Sequence, residues 1–305
     1  MSEKIVCRVL TGPTASGKTE LSIRAALDLH LDIVCMDSMQ VYRRMDIGTA
    51  KPTAAERRIV PHHMLDIRDP CEPFSVSEYV NEAQKLVRKL AAAGQEVLFV
   101  GGTGLYLQAM IHPWSMGNVP ADEELRSQLN AMAEEPGGRE MLHRRLEAAD
   151  PDSARRLPLN DIRRTIRAIE VSETTGIPFS AQPERPADSE FEWRIVSTAM
   201  ERSLLYSRIN RRVDSMIRAG LPDEVRSLLR EGVPDAAQSM CAIGYKELVP
   251  YVRGQCSLPD AVERIQTGSR HYAKRQMTFL RREPDIRYVD VNSNSAYNDL
   301  LRIIQ

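Results

Sequence analysis

The residues with the clearest chemistry are Gly12-Pro13-Thr14-Ala15-Ser16-Gly17-Lys18-Thr19. The run fits G-x-x-x-x-G-K-[ST] and lies between an apolar stretch, 5–10, and a segment with helical spacing, 20–30. That strand–loop–helix context is what a phosphate-binding loop requires. The glycines let the backbone wrap an anion. Successive N–H groups and the helix N-terminus supply partial positive charge, and Lys18 adds a full one. Thr19 is placed to reach a magnesium ion. The loop does not reveal which phosphate compound it holds.

Asp37-Ser38-Met39-Gln40 follow a second short apolar stretch, 32–36. In a parallel sheet that edge faces the phosphate loop. A carboxylate there either serves as a general base beside a phosphate ligand or caps the following turn, and the pattern leaves both readings open. A third stretch, 96–100, runs into Gly101-Gly102-Thr103-Gly104. A nucleotide hydrolase would carry a metal-binding Asp at the end of such a strand. Only Asp37 offers a substitute, which argues against an ordinary NTPase. Asp46-Ile47-Gly48-Thr49-Ala50-Lys51-Pro52 places polar groups and a glycine in a loop. Pro61-His62-His63-Met64-Leu65-Asp66 sets two histidines near an Asp. Adjacent histidines point to different sides of a strand or loop, so a structural role is favoured over a metal site. Helical spacing puts Arg163 and Arg167 on one face with Arg164 beside them. Such a face is either simply solvated or a contact for RNA phosphate.

The elements that must position these groups alternate. Strands are expected at 5–10, 32–36, 96–100, 191–198 and 286–291, with helices at 20–30, 75–93, 202–219, 223–230, 244–252 and 258–281. Alternation of this kind implies an α/β fold with a parallel sheet flanked by helices. Residues 120–186 break the pattern. They are rich in Arg, Glu, Ala and Leu, punctuated at Pro151, Pro158 and Pro178, with no clear strand. The expected organisation is a phosphate-loop core in two parts, 1–115 and 189–305, interrupted by an all-helical insertion at 116–188.

The 305 residues include 42% hydrophobic and 27% charged side chains, a soluble globular composition. A formal net charge of -1 excludes a bulk basic signal, so any nucleic-acid site must come from local Arg and Lys clusters. Five cysteines, an odd number without C-x-x-C spacing, argue against a disulfide framework and a zinc site. No stretch approaches the ~20 apolar residues that span a bilayer, and no secretory leader is evident, so a cytoplasmic protein is expected.

These segments together resemble the bacterial tRNA dimethylallyltransferases. The matching pieces are GPTASGKT (12–19), DSMQVYRRMDIGTAKP (37–52), PHHMLDIRDP (61–70), VGGTGLYLQAM (100–110), NDIRRTIRAIEV (160–171), RINRRVDSM (208–216), AIGYKEL (242–248) and YAKRQMTFLRR (272–282). They occur in family order and cover nearly the whole chain. DIGTAKP and VGGTGLY are far more specific than the phosphate loop. The resemblance implies a P-loop NTPase-like core. It also implies transfer of a dimethylallyl group from dimethylallyl pyrophosphate to the N6 amine of the adenine just 3′ of the tRNA anticodon, with Mg2+ as cofactor. The donor's pyrophosphate would lie on residues 12–19, contacted by Lys18 and Arg212. Asp37 would take the proton from the amine, Ser38, Met39 and Gln40 would line the adenine pocket, and Thr103 would sit near the reacting centre. Arg126, residues 163–167 (Arg163, Arg164, Thr165, Ile166, Arg167) and residues 241–246 (Cys241, Ala242, Ile243, Gly244, Tyr245, Lys246) would touch tRNA. The insertion would fold over the anticodon stem-loop. Independently of the resemblance, a monomer is expected. The chain reads Ile162-Arg163-Arg164 where many members have Pro-Gln-Arg, which adds charge suited to phosphate.

Overall fold

The computed structural model describes residues 4–112, 119, 121–182 and 190–305. The ends of the strand-free stretch, 120 and 186, and the expected insertion's boundaries at 115/116 and 188/189 lie outside the described residues. The chain divides into two compact units, Met1–Ile111 with Ser189–Gln305, and His112–Asp188.

The first unit contains the strands β1 (Ile5–Thr11), β2 (Asp32–Cys35), β3 (His62–His63), β4 (Val97–Val100), β5 (Phe191–Ala199) and β6 (Arg287–Asp290). They form one sheet in the order β3-β2-β4-β1-β5-β6, every pair parallel. Its helices are α1 (Lys18–Asp28), α2 (Ala54–Ile59), α3 (Val76–Ala92) and α4 (Gly104–Ile111). The second unit holds α5 (Glu123–Glu134), α6 (Gly138–Ala149), α7 (Pro151–Arg156) and α8 (Ile162–Thr175). The first unit then resumes with α9 (Arg202–Arg218), α10 (Leu221–Arg230), α11 (Tyr245–Val252), α12 (Leu258–Leu280) and α13 (Ala296–Ile304).

The central strands are apolar on both faces because helices cover both. Leu10, Leu98 and Val196, from β1, β4 and β5, are each 0% exposed and pack with Ala25 and Ala26 of α1 and Leu300 and Ile304 of α13. Each such aliphatic side chain contributes about 1.5–3 kcal/mol by leaving water. On α3, the buried Tyr79 stacks on Tyr106 with centroids 3.9 Å apart and donates its hydroxyl to the Cys35 carbonyl at 3.0 Å. These contacts hold the C-terminal end of β2 against α3 and α4.

Four elements were not anticipated. Strand β3 has two residues, too few to show a period. Helix α2 carries a capping box, Thr53 with Glu56. Helix α4 is apolar nearly throughout, and α13 follows a short β6. Among the described residues no helix is long and apolar enough to cross a membrane.

The helical unit has its own core, in which Leu129, Leu142, Leu146, Ile166 and Ile169 pack together. Thr165 and Ile166 are 3% and 5% exposed. This corrects the expectation that their side chains reach RNA: the inward stripe of α8 is the one that builds the core.

Candidate active site

Strands β1, β2 and β4 end at one edge of the sheet, and the residues that follow them meet there. Gly12, just after β1, has φ +139°, and a Cβ on it would lie 2.0 Å from Thr198 Oγ1. Only glycine fits a backbone so close to β5. The Ser16 and Thr198 hydroxyls share a hydrogen bond of 2.6 Å. Gly17, at φ +92°, turns the chain into α1. Lys18 Nζ donates to the carbonyls of Gly12 and Pro13 at 2.9 and 2.7 Å. Burial lowers its pKa to about 7; the positive charge of Arg212 adds to the shift and the negative charge of Asp37 opposes it.

On the β2 and β4 side the backbones nearly touch. A Cβ on Gly101 would lie 2.0 Å from the Met36 carbonyl oxygen, which explains the glycines where a hydrolase would have an acid. Thr103 N donates to Met36 O at 3.3 Å, and Ser38 N donates to Thr103 Oγ1 at 3.0 Å. Thr103 therefore holds the start of the loop that carries Asp37. Asp37 Oδ1 accepts from Met39 N at 2.9 Å, the turn-capping contact. Gln40 Nε2 donates to the carbonyls of Thr49 and Ala50 at 3.1 and 3.3 Å.

Two helices close the site. In α9, Leu205 and Ile209 pack with Ala273 of α12 and Ala15 of the phosphate loop. The positions i, i+3, i+4 and i+7 of α9 bring Arg208, Arg211, Arg212 and Ser215 to the cavity beside that loop. Burial lowers the Arg212 pKa, and Asp37 opposes this. From α12, Gln276 Oε1 accepts from Thr14 N at 2.9 Å while its Nε2 donates to Gly102 O at 2.8 Å, joining the two glycine loops. Burial pushes the Tyr272 phenol up, and the charge of Asp37 adds to it.

Two cavities result. One of about 610 Å³ is lined by Lys18, Thr19, Asp37, Arg208, Arg211 and Arg212 among others. A second of about 280 Å³ includes Ile209, Val213, Met216, Ile243 and Ile265. Thr14, Asp37, Thr49, Arg212 and Tyr272 line both. The cationic space and the more apolar one thus meet at Asp37. The arrangement suits an anionic leaving group on one side, an apolar or flat group on the other, and a carboxylate at the junction.

The remaining expected residues are placed as follows. Gly12, Asp37, Ser38, Met39, Gln40, Thr103 and Arg212 belong to this site or its walls. Cys241, Ala242, Ile243, Gly244 and Lys246 line the second cavity. Tyr245 is 0% exposed, and its hydroxyl donates to Glu224 at 2.6 Å; Ala242 is 7% exposed. The Tyr245 side chain is thus a packing element and not an RNA surface. In the helical unit, Arg126 and Arg167 both pair with the fully buried Glu170 carboxylate, at 2.9 and 2.6 Å. Those two arginines hold the unit together, whereas Arg163 and Arg164 are exposed. His63 Nε2 bonds Asp32 at 2.7 Å and His62 Nδ1 bonds the Val60 carbonyl at 2.8 Å, pinning the sheet edge. Lys51 is buried and donates to Tyr42 O, Asp46 Oδ1 and Asp66 Oδ1, each at 2.7 Å. Arg208, Arg211, Tyr272, Gln276 and Glu224 were not anticipated. The helical spacing of Arg208, Arg211 and Arg212 was a usable signal; for Gln276 and Glu224 no local pattern existed.

A model of the family described as IPP transferase matches residues 40–283. A tRNA dimethylallyltransferase of Geobacillus thermodenitrificans is 47% identical over 298 residues, covering 97% of this chain and 93% of its own. One from Carboxydothermus hydrogenoformans is 42% identical, covering 100% and 97%. The solved tRNA isopentenylpyrophosphate transferase of Bacillus halodurans superposes with a TM-score of 0.72 at 40% identity, covering 99% of this chain and 96% of its own. A eukaryotic dimethylallyltransferase solved while acting on tRNA gives 0.82 at 27% identity, covering 98% and 78%.

Proposed function

The chain belongs to the IPP transferase family, and from that premise we propose that it transfers a dimethylallyl group from dimethylallyl pyrophosphate to the N6 amine of the adenine 3′ of the anticodon in tRNA. The observation that carries the reading is the junction at Asp37 between a cationic cavity and a more apolar one.

The bond between the allyl carbon and the pyrophosphate oxygen breaks, and its electron pair leaves with the pyrophosphate. A bond forms from N6 to the same carbon. Lys18, Arg212 and the amides of residues 12–19 stabilise the departing anion, with Arg208 and Arg211 adding positive charge. Adenine N6 is a poor nucleophile because its lone pair is delocalised into the ring. Asp37 takes the amine proton, so positive charge does not build on nitrogen. Ser38, Met39 and Gln40 bound the adenine pocket, and Thr103 orients their loop. The adenine leaves its stack to enter.

The oxygen donors lining the first cavity, the Thr19 hydroxyl among them, suit magnesium, a hard cation that shares phosphate ligands. When bound it would neutralise charge on the pyrophosphate. The exposed Arg163 and Arg164, with Lys246, are suited to RNA phosphate. A tRNA substrate makes the cytoplasm the compartment of the reaction.

The test uses labelled dimethylallyl pyrophosphate with tRNA, AMP or ATP. Label in tRNA alone is the expected result. Label in AMP or ATP would identify a free-nucleotide transferase, and robust phosphate release from ATP without tRNA would favour a phosphotransferase of the small-molecule kinase type instead.

A further inference from the structure

Glu224, on α10, makes an unusual set of contacts for a side chain in no sequence motif singled out above. Its Oε2 accepts from Asp46 N at 3.0 Å and Ile47 N at 2.8 Å. Its Oε1 accepts from Gly48 N at 3.1 Å and from the Tyr245 hydroxyl at 2.6 Å. One carboxylate therefore satisfies three successive amides of the 46–51 loop and a buried phenol. Burial, with the Glu224 charge next, pushes that phenol well above its ordinary pKa, so Tyr245 remains a donor. A Cβ on Gly48 would lie 2.4 Å from Cε2 of the Tyr245 ring, so the loop rests directly on the ring.

The loop continues into the site. Thr49 Oγ1 donates to the Met45 carbonyl at 2.6 Å, and Ala50 N donates to the Ile47 carbonyl at 3.0 Å. The carbonyls of Thr49 and Ala50 receive the Gln40 amide, and Gln40 ends the turn that begins at Asp37. Thr49 lines both cavities beside Asp37. An unbroken line of hydrogen bonds and covalent chain thus runs from Tyr245 through Glu224 and the 46–50 loop to Gln40. A carboxylate on three amides is a strong, charge-assisted anchor, and it holds the 46–48 side of the loop while the buried Lys51, bonded to Tyr42 O, Asp46 Oδ1 and Asp66 Oδ1, holds the other.

We propose that Glu224, assisted by Tyr245, is a positioning residue for the transfer step: it sets the 46–50 loop and through Gln40 the placement of the Asp37 turn. The role rests on the transferase reading above. Glu224 touches neither the cationic wall nor the phosphate loop, so its loss acts on the chemical step and not on donor capture. Misplacement of a reacting group by about 1 Å costs on the order of 10²-fold in rate.

The experiment compares wild type with E224A, E224Q and Y245F in the full chain. Single-turnover transfer from dimethylallyl pyrophosphate is followed at saturating tRNA, and donor affinity is measured by calorimetry. The expected order of rate constants is wild type, then Y245F and E224Q, then E224A, the last reduced on the order of 10²-fold. Donor affinity stays within about 2-fold throughout, because the groups that bind pyrophosphate are untouched. A merely structural role would lower the amplitude of the reaction by reducing folded enzyme, but would leave its rate constant unchanged. Should E224A not fold, E224Q and Y245F carry the comparison, since each keeps the bulk of the side chain it replaces. Rate constants within about 2-fold of wild type in every folded variant overturn the proposal, as does a loss of donor affinity that accounts for the whole effect. A wild-type protein that labels no tRNA overturns the transferase reading instead, so the two failures are distinct.

Discussion

The position of Asp37 is compatible with both roles that the residue pattern alone left as alternatives. Its Oδ1 caps the turn through Met39 N, and the same side chain lines both cavities. Capping needs only an oxygen acceptor, which Asn retains, whereas proton removal needs the carboxylate. Asp37→Asn is therefore expected to preserve fold and tRNA affinity and to reduce single-turnover transfer by about 10²–10⁴-fold. A variant within a few-fold of wild type would leave Asp37 as a cap and nothing more. The same logic separates Arg126 and Arg167 from Arg163 and Arg164. The first two share the buried Glu170, and the second two remain at the surface.

At the scale of elements, α7 shows how a short helix is held. Asp150 is 0% exposed; its carboxylate caps the helix through Ser153 N at 3.0 Å and accepts from Ser180 N and Oγ at 2.7 and 2.6 Å. Burial alone would raise its pKa, but these bonds outweigh it and take the value from 3.8 to about 2. A depressed folded pKa means that folding favours the ionised form. The contribution, about 2 kcal/mol, is complete above pH 4 and is lost as pH falls toward 2. Urea unfolding of Asp150→Asn followed from pH 5 to pH 2 should show a flatter acid limb than wild type, with lower stability at neutral pH.

Helix α12 makes a different prediction. Its positions 271, 274, 275, 278 and 279, with Arg282 just past its end, line one open cavity of about 440 Å³, with His271, Lys274, Arg275 and Arg282 beside Phe279. A basic face with one aromatic suits an RNA backbone and an unstacked base. Each basic side chain lost from a phosphate contact should flatten the salt dependence of tRNA affinity by roughly one unit. Lys274→Ala and Arg275→Ala, titrated with tRNA across a salt series, test this directly. Unchanged slopes in both variants would make the face solvent-facing only.

For the whole molecule, every group placed at the reacting centre belongs to the unit made of Met1–Ile111 and Ser189–Gln305. The helical unit has a separate apolar core and its own buried ion cluster at Glu170. Replacing residues 116–188 by a short Gly/Ser linker should thus leave a folded protein that binds dimethylallyl pyrophosphate as the full chain does. Its tRNA affinity should fall steeply, because phosphate contacts dominate and Arg163 and Arg164 are lost with the segment. Calorimetry with the donor and filter binding with tRNA give the two halves of the answer. Undiminished tRNA binding by the shortened protein would assign the RNA site wholly to the first unit.

The phosphate loop, the main strands and helices of the sheet domain, and the helical character of the inserted segment are legible in the sequence. Each depends on neighbours within a few residues: a glycine that must take positive φ, an apolar run, a 3.6-residue period. Strand β3 and helix α4 are not legible, the first too short for a period and the second too uniformly apolar to show a face. Helix α13 owes its place to distant partners, among them the buried Arg8, whose Nε donates to the Ile304 carbonyl at 2.7 Å. Tertiary structure alone decided that Gln276 joins two glycine loops, that Glu224 holds the 46–51 loop, and that Thr165, Ile166 and Tyr245 turn inward. The reason is physical: a side chain's partner across the fold is chosen by packing between elements far apart in the chain, and no local window contains both members of the pair.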